Sequence, residues 1–199
     1  MEFDDVLYKA ADGIATITIN RPKQMNPFRG QTVDGLIEAF HEAWRDRGVG
    51  AVILTGAGEK AFCVGGHQST REAGGYRGKP SRSDLGLDIE DLHFIIRDIP
   101  KPVIAAVNGY AIGCGHVLHV ICDLTIAADT AKFGQVSPKV GSVDPGFDTM
   151  YLARVVGEKR AREFWYLCEQ YTAEECRQMG LVNKVVPASE LMNEARAWR

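Results

Sequence analysis

Three short, uninterrupted apolar runs constrain the fold of this chain more than any other feature. They are AVILTG at residues 51–56, VIAAV at 103–107 and LTIAA at 124–128. Runs of this kind are typical of strands that are buried on both faces. Helical patterns separate them, and strands that alternate with helices form a largely parallel sheet with helices packed against it. The sequence therefore predicts an α/β fold.

Further patterns extend this prediction. GIATITIN at 13–20 alternates in polarity and ends at Arg21-Pro22, which predicts another strand. Apolar residues at helical spacing predict helices from about residue 31, over about 85–99 and over about 114–121. The intervening segments 57–68 and 108–113 are predicted to be a loop and a Gly-rich turn. FGQVSPKVGSVDPG at 133–146 predicts a shaped surface loop, because Gly and Pro fix turns.

Beyond about residue 145 the chain becomes mainly helical. YLARVV and EKRAREFWYLCEQ are amphipathic, and Thr172 with Glu175 forms a capping box for the next helix. LVNKVVP predicts one more short strand, and SELMNEARAWR begins a helix within which the sequence ends at Arg199. The predicted organisation is an α/β core over residues 1–145 followed by a helical segment over 146–199.

Composition and charge exclude several classes of protein. A formal net charge of -3 gives no reason to expect nucleic acid or an anionic membrane as a partner. No apolar run is long enough to span a bilayer, and the start MEFDDVLYKA is too acidic for a signal peptide. The five cysteines form no CxxC pair, which favours reduced thiols over disulfides or a zinc site. We therefore expect a cytoplasmic protein.

Two Gly-rich turns share one design. FCVGGHQ at 62–68 and NGYAIGCGHV at 108–117 each follow a buried strand, where open α/β sheets usually bind ligands. In the second turn, the N–H groups near Cys114 and Gly115 lie at the N-terminus of the following helix, where they carry the positive end of its dipole. Together the turns could bind a carbonyl oxygen as it becomes an oxyanion. The alternative is that these glycines only permit tight turns.

The segments AFCVGGHQ and NGYAIGCGHVLHVICD, with INRPKQMNPF upstream, resemble the crotonase superfamily from Tyr8 to Pro187. The resemblance implies a core of repeated ββα units and an acyl-coenzyme A thioester as substrate, with no permanently bound cofactor and no metal. It assigns the oxyanion-binding N–H groups to Gly66 and Cys114. The positions that it implies for binding the substrate and its coenzyme A are Met25, Val64, Gly65, His67, Gln68, Tyr110, Ala111, Ile112, Gly113, Gln135, Val136 and Ser137.

The resemblance also reduces the number of possible reactions. Hydratases of this fold carry a glutamate where this chain has Val117, and their second glutamate lies in the loop 133–146, which has none. GQVSPKVGSVDPG with ARVVGEKRARE is similar to 2-ketocyclohexanecarboxyl-CoA hydrolase, which opens a β-keto ring, and to 1,4-dihydroxy-2-naphthoyl-CoA synthase, which closes one. GGHQST, DLHFIIRDIPKPVIA and SVDPG favour the hydrolase; GHVLH, AGGY and LTIAAD favour the synthase. Pro145, which follows Asp144, and the match through residues 88–105 favour the hydrolase overall. The synthase and a non-catalytic acyl-CoA-binding homologue are the alternatives.

Three side chains are assigned catalytic roles by the resemblance. Asp144 matches a general acid or base, Ser142 a residue that hydrogen-bonds the substrate carbonyl or enol, and Tyr76 a residue that closes over the substrate. The alternatives from local chemistry are a helix cap for Asp144 and a turn for Ser142, although Asp148 is the better candidate for the cap.

Other positions depart from the family pattern. Gln135 and Ser137 match a pocket that holds bicarbonate in some synthases, but glycine is expected at 137. His67 replaces an aspartate of the first turn, and Cys114 replaces a glycine of the second. His116 and His119 are expected to pack rather than react.

Relatives are trimers or pairs of trimers and continue beyond the position of Arg199 with a helical segment that covers the acyl site.

Overall fold

The computed structural model describes residues 5–66, 89–141 and 147–199, which form two sheets. The large sheet has the order β1-β2-β3-β5-β7-β10 and the small one the order β4-β6-β8-β9. Their strands are β1 Val6–Ala11, β2 Ile14–Ile19, β3 Ala51–Gly56, β4 Ala61–Cys63, β5 Val103–Val107, β6 Tyr110–Ile112, β7 Leu124–Ala128, β8 Lys132–Gly134, β9 Tyr171–Thr172 and β10 Lys184–Val186.

Seven α-helices connect or cover these strands in the described part of the chain. They are α1 Gly30–Arg45, α2 Ile89–Asp98, α3 Cys114–Ile121, α4 Asp148–Val156, α5 Glu158–Leu167, α6 Ala173–Gln178 and α7 Leu191–Ala197. Short 3-10 turns lie at Pro22–Gln24, Ser137–Val140 and Ala188–Glu190. The long helices α1 and α2 bury one apolar face each, as their spacing predicts.

Consecutive strands are shared between the two sheets. In each of the pairs β3/β4, β5/β6 and β7/β8, the first strand enters the large sheet and the second enters the small one. Neighbours pair in parallel, apart from β1 with β2 and β8 with β9 among the described strands. The predicted α/β class with a mostly parallel sheet is therefore confirmed.

The continuous apolar runs are explained by two separate cores. Val52 and Leu54 of β3 face the larger core, which lies between the sheet and helices α1 and α2. Ile53 points to the opposite face, where it meets Ile104 and Ile126 of the neighbouring strands and Leu191 of α7. Since both faces of β3 are covered, all six of its residues are buried.

Several short strands correct the sequence prediction. β4, β6 and part of β8 lie in segments that were predicted to be a loop, a turn and a surface loop. Strands of three residues are too short to show a period, and their parallel neighbours supply the pairing. β1 was not predicted, because only its first residue, Val6, is buried and no alternation results. Phe133 and Gln135 are buried, so the surface loop begins later than expected.

The segment after residue 145 contains helices and two strands. The capping box of Thr172 and Glu175 is confirmed: Thr172 N–H donates to Glu175 Oε2 at 2.7 Å, and Glu175 N–H donates to Thr172 Oγ1 at 3.2 Å. β9 and β10 join the small and the large sheet, respectively. The domain boundary at 145 stays a prediction.

In the part of the chain that the structure describes, no helix is both long and apolar enough to cross a bilayer.

A substitution of Gly115 tests how α3 is seated on the small sheet. A Cβ at this position would overlap the carbonyl group of Cys63 and stand 2.9 Å from Cys63 Cβ. We expect Gly115→Ala to lower the free energy of unfolding by about 2 kcal/mol or more, the cost of overpacking a close-packed contact. Urea unfolding measures this. The control is Gly50→Ala, where the new Cβ stands 3.8 Å from Gly13 O and stability should change little. Equal losses in the two variants would contradict the proposed contact.

Candidate active site

The two Gly-rich turns meet backbone against backbone. A Cβ placed on Gly65 would stand 3.2 Å from the amide nitrogen of Cys114 and 3.3 Å from Ile112 O. Gly65 also has a φ of 82°, which disfavours any side chain. The predicted site residues Gly65, Ile112 and Cys114 are thus neighbours. Gly66, the predicted first oxyanion donor, follows Gly65 directly and is half-buried.

A third segment supports the first turn. Phe28 N–H donates to Gly65 O at 2.9 Å, and Phe28 forms an isolated parallel bridge with Gly66. The preceding Asn26 holds this segment in place, since its Nδ2 donates to Ala61 O at 2.6 Å. Asn26 has a φ of 58°, a conformation that Asn tolerates better than most residues. Sequence reasoning missed both residues, although the Asn26-Pro27 dipeptide is a turn signal.

The second turn is shaped by Gly113. Its φ of 58° favours glycine, and its N–H donates to Gly134 O at 2.9 Å, which joins β6 to β8. Gly113 O accepts from His116 N–H at 2.8 Å and from Val117 N–H at 3.2 Å, so it begins the hydrogen bonding of α3. Cys114 is the first residue of that helix, where N–H groups point out of its positive end.

Cys114 fits the second turn despite replacing a glycine. Its side chain is half-buried, and its Cβ would lie 3.9 Å from a Cβ on Gly65, an ordinary contact distance. The two turns can therefore approach each other closely because Gly65 and Gly115, at the points of contact, have no side chain. The neighbouring thiol of Cys63 is fully buried, and burial raises its pKa to about 12 against the opposing hydrogen bond from Gly65 N–H. Cys63 consequently remains a neutral thiol.

The other predicted binding residues surround these turns. Gln135 is fully buried and its Nε2 donates to Gly113 O at 3.3 Å. Ser137 is buried as well, whereas Val64 and Val136 are half-buried and Tyr110 is exposed. Ala111 packs in the hydrophobic core, so only its backbone could face a ligand. Met25 ends the 3-10 turn before Asn26, with a φ of 68°.

Five predicted site residues lie outside the described residues. They are His67, Gln68, Tyr76, Ser142 and Asp144. The residues of the predicted site that the structure describes are those of the two Gly-rich turns and of the segment after β8, together with Met25. Within the ranges that are described, no group of three or more His, Cys, Asp or Glu residues is arranged to hold a metal ion.

Helix α3 carries a histidine pair beneath the second turn. The rings of His116 and His119 are buried, with centroids 4.7 Å apart, and His119 also contacts Phe133. The Thr125 hydroxyl donates to His119 O at 3.3 Å, so it accepts from His119 Nδ1 at 3.2 Å. His119 is therefore the neutral Nδ1–H tautomer. Burial, and secondarily the charge of His116, lowers its pKa well below 6.5.

Val117, where hydratases of this fold have a glutamate, is fully buried in the larger core. Its side chain offers no proton donor or acceptor, and an acid there would have to be desolvated. Helix α3 therefore contributes its N-terminal backbone to the site and no carboxylate from this position.

Comparison with known proteins yields a consistent set of relatives. The sequence model of the family described as enoyl-CoA hydratase/isomerase matches residues 9–199. An enoyl-CoA hydratase from Bacillus anthracis is 31% identical over 98% of this chain and 74% of that one, with a TM-score of 0.89. Protein PA4980 of Pseudomonas aeruginosa is 30% identical over 100% and 84%, with a TM-score of 0.89. An enoyl-CoA hydratase/carnitine racemase from Magnetospirillum magneticum is 30% identical over 98% and 73%, with a TM-score of 0.88.

The buried neutral His119 predicts a stability that depends on pH. Because its pKa is lowered in the folded state, the unfolded chain binds more protons, so this stabilisation is present above about pH 6.5 and is lost as the pH falls below it. Between about pH 7.5 and pH 5.5 we expect a loss on the order of 1 kcal/mol from this group, measured by urea unfolding.

His119→Gln should remove that part of the pH dependence. The control, Thr125→Val, removes the hydroxyl partner but keeps the ring that titrates, so the loss on acidification should persist in it. An unchanged pH dependence in His119→Gln would show that His119 is not its source.

Proposed function

The chain belongs to the enoyl-CoA hydratase/isomerase family, the crotonase superfamily, and on that premise we propose that it is an enzyme acting on an acyl-CoA thioester. The observation that carries this proposal is the contact between Gly65 and the amide of Cys114. It brings the end of β4 to the N-terminus of α3, where backbone N–H groups of Gly66 and Cys114 can share one oxygen atom. Such fixed donors stabilise an enolate oxygen without reorganising during the reaction.

The proposed reaction is the hydrolytic opening of a cyclic β-ketoacyl-CoA such as 2-ketocyclohexanecarboxyl-CoA. Water adds to the ring ketone, and the bond between that carbon and the carbon next to the thioester breaks. The electron pair passes into the thioester as an enolate, whose oxygen is bound by the N–H groups of Gly66 and Cys114. Protonation of the carbon gives an open-chain carboxylate that still carries coenzyme A. The apolar Val117 supports this choice over simple hydration.

The resemblance to the family assigns three side chains to this chemistry. Asp144 would take the proton of the attacking water and return it to the carbon, since a carboxylate close to a thioester can act as general base and then general acid. Ser142 would donate to the ring carbonyl, and Tyr76 would help to enclose the ring. Coenzyme A enters as part of the substrate, along residues 64–68 and near Met25. Bicarbonate has no part in this proposal, since Ser137 stands where glycine is expected.

Two alternatives rest on specific features. 1,4-Dihydroxy-2-naphthoyl-CoA synthase, which closes a ring by the reverse type of bond formation, is favoured by the GHVLH segment and its buried His116 and His119. A non-catalytic acyl-CoA-binding protein is favoured by His67 and Cys114, which replace an aspartate and a glycine of the family pattern.

Mass analysis of three reactions separates these functions. The protein is incubated with 2-ketocyclohexanecarboxyl-CoA, with o-succinylbenzoyl-CoA and with crotonyl-CoA as the hydratase control. Gain of one water by the first supports the proposal, loss of one water by the second supports the synthase, and gain of one water by crotonyl-CoA alone supports a hydratase. If all three are bound but none changes, the non-catalytic alternative stands.

We also propose a homotrimer or homohexamer. Phe164 of α5 is buried within the chain, but the neighbouring Tyr166 and Leu167 are 76% and 55% exposed. Beside them lies a groove of ≈ 770 Å³ lined partly by Pro138, Ala153 and Trp165. Light scattering of the full-length gene product should give at least three subunits, and Tyr166→Glu should weaken the assembly. A monomer at all concentrations would contradict this proposal.

Replacement of Asp144 tests its proposed role. Asp144→Asn keeps the shape of the side chain but cannot carry the proton, so turnover should fall by roughly a hundredfold or more while coenzyme A ester binding persists. Ser142→Ala should cost less, about 1 kcal/mol of transition-state stabilisation. The control is Asp148→Asn. Phe147 occupies the N-cap of α4 and Asp148 follows it, so the cap expected at Asp148 is wrong, and this variant should leave turnover unchanged. If Asp144→Asn lowered only the melting temperature, Asp144 would be a helix cap.

A further inference from the structure

The carbonyl oxygen of Gly113 accepts hydrogen bonds from two sources. His116 N–H and Val117 N–H donate to it from within α3, at 2.8 and 3.2 Å. Gln135 Nε2 donates to it at 3.3 Å from the strand-to-turn junction after β8. The assignment of the Gln135 amide is fixed by its acceptor, since only the nitrogen can donate to a carbonyl oxygen. Gln135 is fully buried, so water does not compete for this bond.

This carbonyl belongs to the same peptide group as the Cys114 N–H. The described backbone contains no cis peptide bond, so the C=O of Gly113 and the N–H of Cys114 point in opposite directions in one plane. A group that holds the oxygen therefore sets the direction of the N–H. It also polarises the peptide, because hydrogen bonds to the two ends of an amide strengthen each other.

The same short segment holds Gly113 at both of its polar atoms. Gly134 O accepts from Gly113 N–H at 2.9 Å, and the next residue, Gln135, donates to Gly113 O. Gly113 has no Cβ, which allows its φ of 58° but also leaves the residue without the conformational restriction that a side chain would impose. External bonds must supply that restriction.

We propose that Gln135 is a positioning residue for the oxyanion-binding peptide, which fixes and polarises the Gly113–Cys114 amide from the side opposite the substrate. This inference rests on the proposed function, because it takes the Cys114 N–H as a donor to the thioester oxygen. It gives Gln135 a role through the backbone rather than through contact with substrate or bicarbonate.

The test measures thioester polarisation directly and requires no turnover. Acetyl-CoA labelled with ¹³C at the thioester carbonyl is bound to the full-length protein, and the carbonyl stretch is recorded by infrared difference spectroscopy. Wild-type protein should lower the frequency relative to free acetyl-CoA. Gln135→Met keeps the volume and removes the donor, so it should lose at least half of that shift with less than about a threefold change in acetyl-CoA affinity. On the substrate that is turned over, kcat should fall by about tenfold and KM should change little.

The matched control is Thr55→Val. The Thr55 hydroxyl is also buried and donates to a backbone oxygen, Ala106 O at 2.8 Å, but that carbonyl belongs to the large sheet. This variant loses a comparable structural hydrogen bond and should keep the full infrared shift. Gln135→Asn, which keeps the amide but shortens the side chain, should behave like Gln135→Met.

One further measurement uses the unmodified protein. The Nε2 protons of Gln135 should move in the ¹H–¹⁵N spectrum when acetyl-CoA binds, because ligand and side chain share one peptide group. A full infrared shift in Gln135→Met, or Nε2 signals that do not move at saturation, would overturn the positioning role. Wild-type protein that bound acetyl-CoA without any infrared shift, or failed to bind it, would instead overturn the proposed function.

Discussion

The site depends on two backbone segments approaching each other with no side chain between them. Gly65 lies against the amide of Cys114, and Gly115 lies against the carbonyl group of Cys63. Two N–H groups can converge on a single oxygen atom only if their peptides are this close. Glycine is required at these two positions because the opposite segment occupies the space that a Cβ would take, and at Gly65 the φ of 82° adds a second reason. Cys114 is tolerated because its Cβ does not enter that space.

The two sheets have different structural roles. The large sheet separates the two cores, whereas the small sheet adds residues to the larger core and consists of strands of two or three residues that hold the turns in register. Such short strands need help from side chains. Asn26 Nδ2 donates to Ala61 O at the start of β4, and Asn108 Nδ2 donates to Gly58 O just before it. Asn108 Oδ1 also accepts from Gly56 N–H at the end of β3. Two amide side chains therefore fix the crossover from the large sheet to the small one.

Structure can be predicted from the sequence where periodic spacing of apolar residues, or an uninterrupted apolar run, indicates which faces are buried. The runs at 51–56, 103–107 and 124–128 became β3, β5 and β7 because both of their faces are covered. The prediction failed at β4, β6 and β8, whose pairing comes from neighbours distant in sequence and leaves no local pattern. The Gly-rich turns were located correctly from the sequence, since glycine marks close approach. Asn26, Phe28 and the role of Gln135 were not, because their importance lies in hydrogen bonds to backbone atoms 22 to 37 residues away, which residue type alone does not reveal.

The second core has a consequence for the order in which the protein can fold. Ile53, Ile104 and Ile126 lie on a face of the large sheet that is closed by α7, from residues 191–197. During synthesis the three central strands leave the ribosome long before this helix does. At translation rates of about 5–20 residues per second, that face stays exposed for several seconds after β7 is complete. Ribosome stalling between β7 and α7 would therefore prolong the exposure of these aliphatic side chains and favour aggregation of the nascent chain.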